Sequence, residues 1–88
     1  MSGFVYILND EKGRFYVGST SNIGRRMKAH LSGNTQTTRN MDAPKLVLSQ
    51  KYESLAVARK VERRIKNLKR KDYIEKMIKD GYIKTKIQ

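Results

Sequence analysis

Phe4-Val5-Tyr6-Ile7-Leu8, Asn9-Asp10-Glu11-Lys12-Gly13 and Arg14-Phe15-Tyr16-Val17-Gly18 follow one another near the N-terminus. The outer two runs are aromatic and β-branched and read as strands; the polar, Gly-containing run between them reads as the turn of a β-hairpin. Side chains alternate along a strand. Phe4, Tyr6 and Leu8 therefore share one face of the first strand, and Tyr16 and Gly18 share a face of the second, opposite Phe15 and Val17. Each strand carries one central tyrosine.

Beyond the hairpin, Ser19-Thr20-Ser21-Asn22 offers N-cap residues for a helix from Ile23 to Ser32, with Gly33 as its stop. Its apolar stripe is Ile23, Met27 and Leu31; Gly24 within it costs about 1 kcal/mol relative to Ala, so the helix depends on packing. Residues 33–44, polar and ending at Pro44, read as a loop. Lys45 to Tyr52 reads as a third strand with Leu46, Leu48 and Tyr52 on one face. Ser54 caps a second helix running to Arg70, with Val57, Val61, Ile65 and Leu68 as its apolar stripe. A third helix starts at Lys71 or Asp72, turns Tyr73, Ile74, Met77 and Ile78 inward, and closes at Gly81. The expected fold is α+β: a small three-stranded antiparallel sheet flanked by helices, in the order β-β-α-β-α-α. One domain over residues 1–80 and a basic tail over 81–88 is the expected organisation.

Composition bounds the chemistry. The 88 residues hold 20 Lys plus Arg against 8 Asp plus Glu, a formal net charge of +12. The excess is concentrated late: Arg59 to Lys71 holds eight positive side chains and one acid, Glu62. So one-sided a run exceeds what i,i+4 pairing balances and points to a polyanion, nucleic acid before membrane. An anionic membrane surface fits less well, because the helix lacks a Trp/Phe/Leu-rich apolar face. With no cysteine, disulfides, thiol nucleophiles and Cys-containing zinc sites are excluded, and a single histidine excludes His-paired metal sites. No apolar run approaches the roughly 20 residues of a membrane span, and no secretion-type leader is present, so the expected location is the cytoplasm.

Arg26 and His30 are four apart and share a helix face immediately after the tyrosine-bearing hairpin. Arginine suits a phosphate through its planar, permanently charged fork, and histidine moves protons near neutral pH. Each residue also has a plainer reading. Glu62 can simply pair with Lys66, His30 can serve a helix C-terminus, the tyrosines can be core residues, and Arg26 can be a surface charge. Spacing and composition by themselves reach a basic, nucleic-acid-binding α+β domain.

The stretch from Phe4 to His30 resembles the GIY-YIG nuclease family: Val5-Tyr6 matches its first motif, Tyr16-Val17-Gly18 its second, and Ser19, Arg26 and His30 its following Ser, Arg and His. Thr38-Arg39 and Pro44-Lys45-Leu46-Val47 resemble the loop and third strand of a short stand-alone branch, similar to the N-terminal nuclease domain of the bacterial excision-repair incision enzyme. Ala58 and Val61-Glu62-Arg63-Arg64-Ile65-Lys66 resemble that branch's metal-binding helix, and the likeness spans nearly all of residues 4–78. The departures are Phe4 where the family has glycine, with Gly3 one place earlier, and Val17 for isoleucine. Arg25 adjoins Arg26, but alignment on Gly18 and His30 selects Arg26. The resemblance implies single-metal hydrolysis of DNA, structure-selective or weakly sequence-specific, by Tyr6, Tyr16, Arg26, His30 and Glu62. Glu62 would hold Mg²⁺ or Mn²⁺. Tyr6 and Tyr16 would position the scissile phosphate and the attacking water, and one of the two, Tyr6 before Tyr16, would take a proton, with His30 orienting Tyr6 or relaying the proton. Arg25, Lys28, Arg39, Arg59, Arg63 and Lys66 are the expected DNA contacts, with a protein partner as a possible source of specificity. The alternative is a binding module with little turnover, or a subunit active only with its partner. Repair, homing and restriction are all open to such a domain.

Overall fold

The structure, a computed structural model, describes residues 2–31, 44–68 and 71–83. Strands β1 (Gly3–Asn9) and β2 (Phe15–Thr20) are followed by helix α1 (Ile23–Leu31), strand β3 (Lys45–Tyr52) and helices α2 (Leu55–Leu68) and α3 (Lys71–Asp80). The strands form one three-stranded antiparallel sheet, as expected from the sequence, and its spatial order is β2-β1-β3. Arg39 and most of the expected loop lie outside the described residues.

The hairpin turn is organised by a buried carboxylate. Asp10 accepts from the Lys12 and Arg14 backbone N–H groups at 3.1 and 2.7 Å and from Arg14 Nε at 2.7 Å. Asn22, the last of the four N-cap residues read from the sequence, starts α1 by accepting from the Arg25 N–H at 3.0 Å. Ser54 caps α2 in the same way through the Val57 N–H at 3.2 Å. Gly81, at φ 80°, ends α3 by donating to the Met77 carbonyl at 2.9 Å.

Because β1 is central, its side chains are buried on both faces. Val5 and Ile7 join Val17, Leu48, Ala58, Val61, Ile65, Met77 and Ile83 beneath α2 and α3, whereas Tyr6 and Leu8 pack with Met27 of α1 on the other face. The layers are therefore α1, the sheet, and α2 with α3.

Four expectations need correction. Leu46 does not share the Leu48 face: a bulge sets Leu48 opposite Ile7 but Leu46 opposite Leu8, leaving Leu46 exposed. Leu68 is 37% exposed and Ala58 is fully buried in its stead, because the contact face of α2 is centred on residues 58, 61 and 65. Tyr73 is exposed, and α3 packs through Met77 with Ile74 and Ile78. Ile83, assigned to the tail, is 5% exposed within the core, and its N–H donates to Gln50 Oε1 at 2.8 Å. The packed fold thus continues past residue 80.

Ile65→Ala is expected to cost about 2–5 kcal/mol of stability and Leu68→Ala less than about 1, although sequence periodicity places both on one stripe. Urea unfolding of the two variants checks the difference.

Candidate active site

On the α1 face of the sheet, Tyr6, Tyr16 and His30 form a triangle of rings. Their centroids are 6.1 Å apart for the two tyrosines, and His30 is 5.4 and 5.6 Å from Tyr6 and Tyr16. The spacing of Arg26 and His30 on α1 brings both to one hydroxyl. Tyr6 Oη accepts from Arg26 Nε at 3.2 Å and lies 2.9 Å from His30 Nε2. Arg25 instead contributes its backbone N–H to the Asn22 cap, so the structure turns Arg26 and not its neighbour towards the tyrosines.

Gly18 makes this arrangement possible. It pairs with Tyr6 across the hairpin, and a Cβ there would sit 2.5 Å from Tyr6 Cζ. A side chain at this position would displace the ring that holds Arg26 and His30. At the other end of β1, a Cβ on Gly3 would meet the Leu55 Cα at 2.6 Å and the Ser54 carbonyl at 2.7 Å. The glycine displaced by one place relative to the family motif thus lets the start of α2 close on the sheet.

Glu62 approaches from the other layer. Ser19, on the same side of β2 as Val17, donates its hydroxyl to Glu62 Oε1, and Lys66 Nζ contacts Oε2 at 2.6 Å. The i,i+4 pairing with Lys66 read from the sequence is therefore present, together with a bond that alternation and helical periodicity did not disclose. In the sequence Ser19 was legible as an N-cap candidate and as the motif serine after Gly18, neither of which signals a partner on α2.

The two half-sites meet across the free edge of β2, in a cleft of about 410 Å³ lined by Tyr16, Gly18, Ser19 and Arg26 and by Arg59, Glu62, Arg63 and Lys66 of α2. Those α2 residues are spaced by three, one and three, so a second helical stripe of one acid and three cations lies beside the apolar one. Arg25 and Lys28 are exposed on α1 and do not line this cleft. Tyr6 does not line it either and is fully buried. Burial pushes the Tyr6 phenol above its ordinary value; the Arg26 hydrogen bond pulls the other way without overcoming it. Of the two tyrosines, Tyr16 is the one that lines the cleft.

Burial, reinforced by the Arg26 charge, holds His30 below its ordinary value. Among the described residues no group of three or more His, Cys, Asp or Glu is assembled. A lone carboxylate facing an open cleft fits a hard cation that keeps most of its own waters, as Mg²⁺ does.

A tyrosine-paired hairpin, an Arg/His helix and a carboxylate thus meet at the sheet edge of a small α+β domain. Residues 2–77 match the GIY-YIG catalytic domain, and the chain belongs to this nuclease family, whose members act on DNA. It is 35% identical over 72 residues to the UPF0213 protein BH0048 of Halalkalibacterium halodurans, covering 81% of this chain and 77% of the relative. The solution NMR structure of the UPF0213 protein BH0048 from Bacillus halodurans is similar with a TM-score of 0.59 at 32% identity, over 92% of this chain and 87% of that one.

Two outcomes follow from the buried cluster. Gly18→Ala is expected to displace Tyr6 and break its contact with His30, which NMR of the His30 ring reads directly. Unfolded histidine takes up a proton near pH 6.5. Folded His30, beside Tyr6, Tyr16 and Arg26, does so only at lower pH. The unfolded state therefore binds more protons, and stability falls as pH drops below about 6.5. Thermal melts of wild type and His30→Gln from pH 8 to pH 5 should show this slope in wild type and a reduced one in the variant.

Proposed function

We propose that the chain is a metal-dependent DNA endonuclease that hydrolyses phosphodiester bonds in the cleft along the β2 edge. The observation that carries the reading is the convergence of Arg26 and Tyr16 from one layer and Glu62 from the other on a single cleft whose other charged lining residues, Arg59, Arg63 and Lys66, are all cations. Glu62 would hold one Mg²⁺ or Mn²⁺, with Lys66 yielding Oε2. When bound, the ion supplies positive charge against the negative charge that develops on the phosphoryl oxygens.

The chain's own residues account for the other tasks. Arg26 binds the scissile phosphate and stabilises its charge in the transition state. Tyr6 is a positioning residue, because its buried oxygen holds the Arg26 guanidinium in place. Tyr16 lines the cleft and orients the attacking water. As the water oxygen bonds to phosphorus and the leaving ester oxygen departs, the water's proton goes to Tyr16 and onward through the Tyr6 hydroxyl to Nε2 of neutral His30. The leaving oxygen is protonated from solvent. Of the two tyrosines, this route takes Tyr16 as the first proton acceptor, because Tyr6 is fully buried and does not line the cleft.

Arg59, Arg63 and Lys66 supply the cations that hold the DNA backbone along α2. A cleft this open on an 88-residue chain favours recognition of DNA shape over sequence, with a protein partner adding specificity. A second reading, a DNA-binding module without turnover, is favoured by one observation: both oxygens of Glu62 are engaged within the chain, by Ser19 and Lys66.

Glu62→Gln and Arg26→Ala should each lower metal-dependent cleavage by roughly 10²-fold or more, the scale of removing one transition-state charge contact. Binding to DNA in EDTA should persist for Glu62→Gln. A panel of supercoiled plasmid, single strand, flap and four-way junction with Mg²⁺, Mn²⁺ or EDTA measures both. Salt-sensitive binding by wild type without cleavage under any metal would select the binding module.

A further inference from the structure

Next to the cleft, past Tyr16 and Lys66, which line both, lies a second groove of about 620 Å³ between the hairpin, α2 and α3. Its floor is apolar, formed by Phe15, Val17, Ile65 and Ile74; its rim is cationic, with Lys12, Arg14, Lys66 and Lys71. Among the described residues no acidic side chain lines it. Two consecutive residues of β2 present rings at this edge, and each ring has an ammonium over it: Lys71 Nζ lies 5.6 Å from the Phe15 centroid and Lys66 Nζ 5.7 Å from that of Tyr16. A lysine ammonium over an aromatic face marks a face accessible from the solvent side.

We propose that this groove is a nucleobase subsite, receiving an unpaired base adjacent to the scissile phosphate. The inference rests on the nuclease reading above and names its substrate class: DNA with a single-stranded segment beside the cut.

The chemistry argues for this occupant. An unpaired nucleotide has a flat π-face that stacks on aromatic side chains, while its phosphate calls for cations. Here the rings and the cations stand together, and the ammonium groups over the rings can turn to phosphates as a base takes their place. A paired base has both faces occupied within the duplex and cannot stack on Phe15. The groove is also in the right place. Successive strand residues rise by about 3.3 Å, so Ser19, which holds Glu62, and Phe15 lie about 13 Å apart along the same edge. A strand leaving the cleft along β2 passes Tyr16 and then reaches Phe15. Lys66 spans the junction, paired with Glu62 on one side and placed over Tyr16 on the other.

The test compares binding, in EDTA and at fixed salt, to a blunt duplex and to the same duplex with a short single-stranded overhang carrying a fluorescent adenine analogue. Wild type, Phe15→Leu and Lys71→Ala are measured side by side. Phe15→Leu keeps an apolar side chain against the core and removes the ring; Lys71→Ala alters an exposed residue and keeps the test open if the leucine variant does not fold. Wild type should prefer the overhang and quench the analogue. Phe15→Leu should lose roughly tenfold in overhang affinity, the size of one lost base stack, together with the quench. Lys71→Ala should lower the overhang-to-blunt ratio in the same direction.

Equal binding of both duplexes by wild type without quenching would overturn the proposal, as would variants that weaken both duplexes alike. Because no turnover is needed, the two readings fail separately. Overhang-selective, quenching binding with no cleavage under Mg²⁺ or Mn²⁺ keeps the subsite and removes the nuclease; cleavage without overhang preference does the reverse.

Discussion

Residues 5–8 of β1 are excluded from water on both faces of the sheet, and among them Tyr6 carries a hydroxyl into the interior. A buried hydroxyl without partners would cost several kcal/mol on the scale of transfer to an apolar medium. Arg26 and His30 supply those partners from adjacent turns of α1, and Gly18 leaves the space in which the ring lies. The same contacts that satisfy this group also attach α1 to the sheet and aim a guanidinium at the β2 edge. Packing and the candidate chemistry thus share a single set of atoms, and a change at Tyr6 disturbs both.

The cleft depends on an edge. Because β2 is outermost, nothing among the described residues pairs with its free side, and side chains from the layers above and below the sheet can meet there. Glu62 lies among Arg59, Arg63 and Lys66 and is held by Ser19 as well as Lys66. In a site this cationic, phosphate is attracted by the surroundings as a whole, while the one carboxylate provides a local place for a hydrated cation.

Much of the fold was legible because its signals are local. The alternation of Tyr6 against Val5 and Ile7, the cap at Asn22, the cap at Ser54 and the stop at Gly81 all depend on neighbours in the chain. The misplacements share a cause. Leu46, Leu68 and Tyr73 lie on plausible stripes, but which part of a stripe reaches the core depends on a bulge and on how far each helix overlaps the sheet. Ile83 carried no periodicity, and its burial comes from the space beside Gln50 of β3. Of the site, the paired tyrosines, Arg26, His30 and Glu62 were readable through motif register. The Ser19–Glu62 bond was not, since it joins residues 43 apart in sequence.

The sequence by itself determined the order of the elements, the basic character of α2, the absence of thiol chemistry and the nuclease family, because each is a matter of composition, short-range periodicity or motif spacing. Only the tertiary structure decided that Tyr6 is buried while Tyr16 faces the cleft, that Glu62 reaches the β2 edge, and that Phe15 borders a second groove. Alternation assigns a side chain to a face, but exposure depends on what another part of the chain lays over that face. Here α1 covers Tyr6, and the free edge of β2 leaves Tyr16 open.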